Sequence, residues 1–305
     1  MWKFMDRFDV MRLFVRIVER ANFSGAARDL QLPRASVTRA IQQLEAQLGV
    51  RLLDRTTRAV RPTEDGTIYY RRCVQLLADL EEVESGFRDG EPKGPLCVDM
   101  QGTLARFFVM PALPEFIARH PAITLRLSET DRMVDLVAEG IDCVLRAGVL
   151  PDSALVGRQI ASSEQLTLAS PEYLRRYGVP TTLEELEHHR MVAYIASSNG
   201  QPYALDFSEN GAVREVMMPY GITVRGAEIY TAAGVAGLGL IQIPRYRVEQ
   251  QLREGALVAV LPHFPPPRLP ISVLHPSSRH PSSRVRVFVT WLADLFRTLQ
   301  SEGRL

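Results

Sequence analysis

Five residues between Pro33 and Gly49 carry the groups that read nucleic-acid bases: Ala35, Ser36, Thr38, Arg39 and Gln42. A guanidinium fits the two acceptors on the edge of guanine, and a primary amide fits the donor and acceptor of adenine. Two short hydroxyls suit bases or phosphates, and a small residue permits close approach to a groove. A second set, Arg55, Arg58 and Arg61, recurs every third residue with Thr56 and Thr57 among it. That spacing suits contacts to a phosphate backbone or a minor groove. Charge concentrates around these residues. Positions 1–63 hold 12 basic and 6 acidic side chains, positions 64–89 hold 3 and 7, and the remainder holds 21 and 22. The amino-terminal segment is therefore a polyanion-binding head within a chain of formal charge +1. Charge alone leaves nucleic acid, acidic protein and anionic lipid as its partner.

The elements that must position these groups are legible as periodicity. Val10, Leu13, Phe14, Ile17 and Val18 recur at helical spacing and predict an amphipathic helix over Asp9–Arg20, ended by Asn22. Ser24 is the expected N-cap of a short second helix, Gly25–Leu30, with Ala26 and Ala27 small enough for close packing. Val37, Ile41, Leu44 and Leu48 then form one stripe of a third helix that Gly49 terminates. The base-reading set projects from the opposite side. Such a face equally fits a three-helix packing module with a solvated polar surface. The short apolar run Val50–Leu53, followed by the arginine-rich segment, reads as a strand leading into a wing.

Thr63 can cap a further helix whose first turn carries Glu64 and Asp65, favourable beside the positive end of the helix dipole. Tyr69, Cys73, Leu76, Leu80, Val83 and Phe87 alternate at four and three residues, the pattern of a coiled-coil seam, so they are the expected dimerisation residues. A helix over Glu64–Arg88 would be about 37 Å long at 1.5 Å per residue. That is comparable with the roughly 34 Å between half-sites one DNA turn apart. Glu91-Pro92-Lys93-Gly94-Pro95 reads as a hinge.

The order of these elements resembles the LysR-type transcriptional regulators. The resemblance rests on Phe23-Ser24-Gly25-Ala26-Ala27, the run Val37 to Glu45, Leu48-Gly49-Val50-Arg51-Leu52-Leu53, Arg55-Thr56-Thr57-Arg58 and Thr63-Glu64-Asp65-Gly66, and it spans most of residues 6–89. Many relatives have Ser-Pro-Ser before the recognition helix where this chain has Leu32-Pro33-Arg34-Ala35, a change that adds a cation at Arg34. The resemblance implies a winged helix-turn-helix over 1–63 that binds double-stranded promoter DNA. Its contacts would come from Ser24, Arg34, Ala35, Ser36, Thr38, Arg39, Gln42, Arg55, Arg58 and Arg61. It also implies a linker helix over 64–89 that builds a dimer, and beyond it a tetramer, with the hinge at 90–95.

From Leu96 onward, period-two runs alternate with helical ones, an α/β pattern. Strands are expected at Leu96–Met100, Ile123–Leu127 and Cys143–Leu145, and helices around Phe108–His120 and Met133–Glu139, before a second series from Pro171 and a final helix through Val285, Phe288, Leu292, Leu295 and Leu299. The body resembles the family's effector domain, similar to type 2 periplasmic solute-binding proteins. In that fold a first lobe covers 96–164 and 269–305, a second covers 165–268, and a small organic effector lies between them. The resemblance points to Thr103, Ser197 and Ser198 for a carboxylate or hydroxyl, Arg146 as counter-charge, Tyr194 against a ring, and Glu228 from the second lobe. Leu145-Arg146-Ala147-Gly148 followed by Pro151-Asp152-Ser153 resembles a subgroup responsive to aromatic acids and quinones or regulating itself.

Other classes find little in the chain. At 305 residues, 46% hydrophobic and 23% charged, it is long enough for about two domains and is neither disordered nor fibrous in composition. No spanning apolar run or secretory leader is read, so a cytoplasmic protein without membrane attachment is expected. No nucleophile elbow, metalloprotease or phosphate-loop sequence is present, and no enzyme, cofactor or metal is expected. Gly234, Gly237 and Gly239 reverse the spacing of a dinucleotide fingerprint and read as close packing in a turn. His188 and His189 would diverge on a helix and are expected at the surface. Cys73, Cys97 and Cys143 are odd in number and widely spaced, which suits buried thiols. The remaining alternative is a small-molecule-binding protein whose basic head docks on another protein.

Overall fold

Capping side chains start α1 (Arg7–Arg20) and α2 (Phe23–Asp29), whereas α3 (Arg34–Leu48) begins after Pro33 and ends at Gly49. The computed structural model describes residues 5–55, 60–85, 91–130, 135–148, 155–195, 200–276 and 281–305. Arg58, Phe87, Ser197 and Ser198, and the side chains of Arg55 and Val83, lie outside that description. Helix α1 starts earlier than its apolar periodicity suggests because Asp6 accepts from the Asp9 amide at 2.7 Å while Asp9 accepts from the Asp6 amide at 3.3 Å. Asn22, not Ser24, caps α2: its Oδ1 accepts from the Gly25 amide at 2.5 Å, so Ser24 falls inside the first turn with its side chain exposed. The inner stripe of α3 is Val37, Ala40, Ile41 and Leu44, packed with Leu13, Phe14 and Ile17. Leu48 departs from that stripe and is 44% exposed, because the helix ends at Gly49 before anything covers its last turn.

The wing is the antiparallel hairpin of β1 (Leu53–Arg55) and β2 (Val60–Pro62). It leads into α4 (Glu64–Ser85), which Thr63 caps by accepting from the Gly66 amide at 2.9 Å. Only glycine fits at 66, since a Cβ there would stand 1.9 Å from the Leu52 carbonyl oxygen. The first half of α4 lies on α1, with the Tyr69 ring edge-on to Phe14 at 5.2 Å. Its second half lies on the body. Gln75 donates to Asp142 at 2.8 Å, Asp142 accepts from the Cys97 amide at 2.8 Å, and Asp79 pairs with Arg284 at 2.6 Å.

This placement occupies part of the expected dimerisation seam within the chain itself. Tyr69 packs into the chain's own core, and Cys73 is 1% exposed with its thiol pushed up to about 11 by burial. Cys73 is closed to a partner, while Tyr69 keeps part of its surface exposed. Leu80 is half-buried and Leu76, on the same stripe as Tyr69, is exposed, as is Ile68 about 100° round the helix.

The body continues with β3 (Gly94–Met100), α5 (Gly102–Leu104), a π-helical turn (Ala105–Val109), α6 (Met110–Arg119), β4 (Ile123–Glu129), α7 (Leu136–Glu139), β5 (Cys143–Ala147) and β6 (Leu155–Ser163). After Glu164 the chain enters a second lobe of β7 (Gln165–Ala169), α8 (Pro171–Tyr177), β8 (Met191–Tyr194), β9 (Leu205–Glu209), β10 (Ala212–Val216), β11 (Tyr220–Val224), α9 (Ala227–Val235), β12 (Ile241–Pro244), α10 (Glu249–Arg253) and β13 (Val258–Ala259). It returns through β14 (Leu269–Pro276) and α11 (Ser283–Ser301).

The first lobe is a five-stranded sheet in the order β4-β3-β5-β14-β6, with β3 parallel to both β4 and β5. Phe108, Phe116, Phe288 and Phe296 form its aromatic core. The second lobe holds the antiparallel set β12-β7-β13, the parallel pair β8 and β11, and the hairpin of β9 and β10. Gly234 lies against Ile241, and Gly239, at φ +154°, lies 2.7 Å by its would-be Cβ from the Met191 backbone, so the glycine-rich turn serves packing.

His188 is exposed as expected, but His189 is buried beneath Tyr173, whose hydroxyl meets its Nδ1 at 3.2 Å. The 3₁₀ turn Glu184–His188 that precedes it rotates the second imidazole inward. Among the described residues no group of three or more His, Cys, Asp or Glu side chains is arranged to hold a metal ion. No helix among them is long and apolar enough to cross a membrane.

Candidate nucleic-acid interface and inter-lobe cleft

With its apolar stripe committed to the head core, α3 leaves Arg34, Ala35, Arg39 and Gln42 exposed and Ser36 and Thr38 half-buried. Thr38 donates its hydroxyl to the Arg34 carbonyl at 3.1 Å, so it offers only lone pairs outward. Arg61 is exposed on β2, opposite Asp54. Among the described residues the guanidinium groups of Arg34, Arg39 and Arg61 have no hydrogen-bonding or carboxylate partner. The arginines of α1 differ: Arg12 pairs with Asp9 at 3.9 Å, Arg16 with Glu19 at 3.2 Å, and Arg20 with Asp29 at 2.6 Å. Positive charge in the head is thus paired at three of the four arginines of α1 and left open on α3 and at Arg61 of the hairpin, where a phosphate backbone would supply the counter-ion.

The hairpin is held in place by a residue that periodicity did not single out. Glu45, on the back of α3, accepts from the Leu52 and Leu53 amides at 2.9 and 3.1 Å. Thr63 adds a second clamp by donating to the Arg51 carbonyl at 2.7 Å. These bonds couple the wing to the recognition helix and to the start of α4. A glutamate flanked by apolar residues and followed by a turn was the available signal.

In the body, the carboxyl ends of β3 and β5 in one lobe and of β8 and β11 in the other carry the expected ligand groups, the usual location in open α/β sheets. Thr103 follows β3, is buried, and its Oγ1 lies 3.4 Å from the Tyr246 hydroxyl. Tyr246 reaches from the second lobe into the first, edge-on to Phe107 and Phe108 at 5.7 and 4.7 Å. The π-helical turn that holds these phenylalanines is absent from the single helix expected around Phe108–His120. Tyr194 ends β8 and meets Tyr230 at 5.2 Å and Tyr203 at 6.3 Å. Glu228, at the start of α9, is exposed and pairs with Arg106 of the first lobe at 3.2 Å, a tie between the lobes.

Arg146 does not stand free as a counter-charge. Its Nη2 pairs with Asp99 and reaches Thr130 at 3.2 Å, while Asp99 also accepts from Ser128 at 2.6 Å and from Thr130 at 3.1 Å. The strands β3 and β5 are neighbours, so the two charges meet inside the sheet's packing and satisfy each other.

The cation nearest the tyrosines is instead Arg247, in the 3₁₀ turn Arg245–Arg247 after β12. It donates to the Ala227 carbonyl and, at 3.2 Å, to the Thr231 hydroxyl. Desolvation lowers its pKa from the usual guanidinium range. No sequence spacing links residue 247 to Tyr194 or Tyr230; the sheet brings them together.

Comparison with known proteins places this geometry among others. Residues 8–67 match the family described as bacterial regulatory helix-turn-helix protein, lysR family, and residues 89–297 match the LysR substrate binding domain. The chain is 38% identical over 295 residues to the HTH-type transcriptional regulator YhjC of Escherichia coli, covering 96% of this chain and 99% of that one. It is 38% identical to an HTH-type transcriptional repressor of Pseudomonas aeruginosa, covering 96% and 93%. The solved structure of CrgA, a LysR-type transcriptional regulator from Neisseria meningitidis, aligns with a TM-score of 0.55 at 30% identity, over 95% of this chain and 98% of that one.

Proposed function

The chain belongs to the LysR family of bacterial transcriptional regulators, and from that membership we propose how its parts divide DNA reading, self-association and ligand response. It is a DNA-binding regulator with an effector-binding domain, and docking of the basic head on a protein partner is not favoured. In our reading α3 enters the major groove of promoter DNA, where Arg39 and Gln42 meet base edges and Ala35, Ser36 and Thr38 fit the groove wall. Arg34, Ser24 and the wing arginines Arg55, Arg58 and Arg61 hold phosphates. The observation that carries this reading is that the exposed guanidinium groups of Arg34 and Arg39 on α3 and of Arg61 on the hairpin have no partner among the described residues.

Two copies would pair through the face of α4 that presents the exposed Leu76, with Ile68 at its edge and Cys73 already buried within the chain, and two dimers would form a tetramer on an interrupted two-fold site. A small organic effector of the aromatic-acid or quinone class would bind between the lobes. Its differential affinity for open and closed lobes would change the spacing of paired heads and so promoter occupancy. We place the protein in the cytoplasm with its DNA and assign it no catalytic step. The deciding experiment captures fragments of the source genome on purified protein at physiological salt, with Arg39→Ala in parallel. Enrichment of a few intergenic two-fold sites, lost in the variant, supports the reading; uniform capture or none rejects it.

A further inference from the structure

We propose that Arg247 is the anion subsite of the inter-lobe cleft and that its ligand is a small aromatic carboxylate recognised between Arg247 and the rings of Tyr194, Tyr230 and Tyr246. This deepens the effector-responsive reading above and rests on it. Three observations carry it.

First, Arg247 is a partly buried cation with no carboxylate ion pair among the described residues. Both acceptors of its Nη2, the Ala227 carbonyl and the Thr231 hydroxyl, are neutral, and among the described residues its Nε and Nη1 make no hydrogen bond. The neighbouring acid, Glu228, is already paired with Arg106. A desolvated guanidinium held only by neutral groups gains most from an anionic ligand, and a carboxylate matches its planar donors. Arg146 shows the contrast, since Asp99 satisfies it fully within the first lobe.

Second, the surroundings are aromatic. Tyr230 and Tyr246 are buried, and Tyr194 stands 5.2 Å from Tyr230 at the carboxyl end of β8. Burial raises the Tyr230 phenol to about 12, so it stays neutral and adds no competing negative charge. Flat walls of this kind favour a ring over a sugar or a flexible chain. Third, the site spans both lobes: Tyr246 meets Thr103, Phe107 and Phe108 of the first lobe, so a ligand on Arg247 bears directly on the lobe contact.

The test titrates the full-length protein with benzoate, its neutral isostere benzamide, and non-aromatic cyclohexanecarboxylate by calorimetry. Benzoate should bind about 10- to 100-fold more tightly than benzamide, the ratio expected for a charge-assisted pair. Cyclohexanecarboxylate should fall between them or below. Arg247→Gln should erase the preference for benzoate, Arg247→Lys should retain part of it, and Arg245→Gln, on an exposed arginine paired with Glu249, should leave it intact. Equal binding of benzoate and benzamide by the natural chain, no benzoate binding to millimolar concentration, or a preference that survives Arg247→Gln would each overturn the assignment. The first two need no variant to fold. Operator binding measured without ligand separates the two claims: specific DNA binding that persists while benzoate fails sinks only the subsite, and absent specific binding sinks the regulator reading whatever benzoate does.

Discussion

Arg146 and Asp99 form an ion pair sealed inside the first lobe, their side chains 8% and 1% exposed, with Ser128 and Thr130 completing the carboxylate's hydrogen bonds. Removing one partner leaves the other charge buried. Arg146→Met should therefore cost about 3–5 kcal/mol, whereas replacing both residues by apolar ones of similar size should restore much of it. Urea unfolding of the single and double variants measures this. A loss under about 1 kcal/mol for the single change would show that water reaches Asp99.

DNA recognition by α3 and by the hairpin should separate in salt titrations. Arg39→Ala should lose about 1–3 kcal/mol on the operator and much less on random DNA, because it removes a base contact. Arg61→Ala should weaken both and lower the salt slope by about one phosphate contact. Equal loss of discrimination in the two variants would contradict this division.

Gly66 joins the wing to the linker helix. Gly66→Ala would drive a Cβ to 1.9 Å from the Leu52 carbonyl oxygen, so the backbone must move. That displacement should separate the Leu52 and Leu53 amides from Glu45 and reduce operator affinity at least about 10-fold, with a loss of more than about 1 kcal/mol in stability. Gel-shift titration beside thermal unfolding tests it; an unaltered operator affinity would show that the wing is not held through this junction.

The linker helix is fastened to the body by Asp79 on Arg284, whose side chain is 1% exposed. Asp79→Asn should weaken this charge-assisted bond by about 1–3 kcal/mol and make amides of the second half of α4 exchange faster with solvent. Hydrogen exchange that rises in the head instead would place the linkage elsewhere.

His189 sets one pH dependence. Burial lowers its pKa below the ordinary value near 6.5, partly opposed by Glu185, so the unfolded chain binds a proton that the folded chain refuses. Its stabilising contribution is present above about pH 6.5 and is lost as pH falls through the folded value. Unfolding free energies between about pH 7.5 and pH 5 should fall for the natural chain and fall less for His189→Gln. Parallel slopes would remove His189 from the account.

The head was legible because its elements are local. Helical periodicity, Gly49 and the arginine spacing all act within a few residues, so α1, α3, the hairpin and the polar outer face of α3 follow from neighbours in the chain. The alternation of period two and helical period likewise announced an α/β body, since each run must bury one face. Small errors there were errors of capping. Asn22 outcompeted Ser24 for the α2 terminus, a contest between adjacent residues with similar chemistry.

The tertiary structure decided which charges and faces were already occupied. A heptad-like stripe on α4 states that a partner is needed, not whether it is another chain or α1, and Phe14 took Tyr69. An arginine at the end of a strand states that an anion belongs nearby, and Asp99, 47 residues away in sequence and one strand away in space, supplied it for Arg146. Arg247 shows the converse. Its sequence neighbourhood is unremarkable, and it became a candidate only because β8, α9 and the turn after β12 converge to leave it among tyrosines with no carboxylate ion pair among the described residues. Helix and strand period are properties of contiguous residues, whereas charge compensation is a property of space, which the chain specifies only once it has folded.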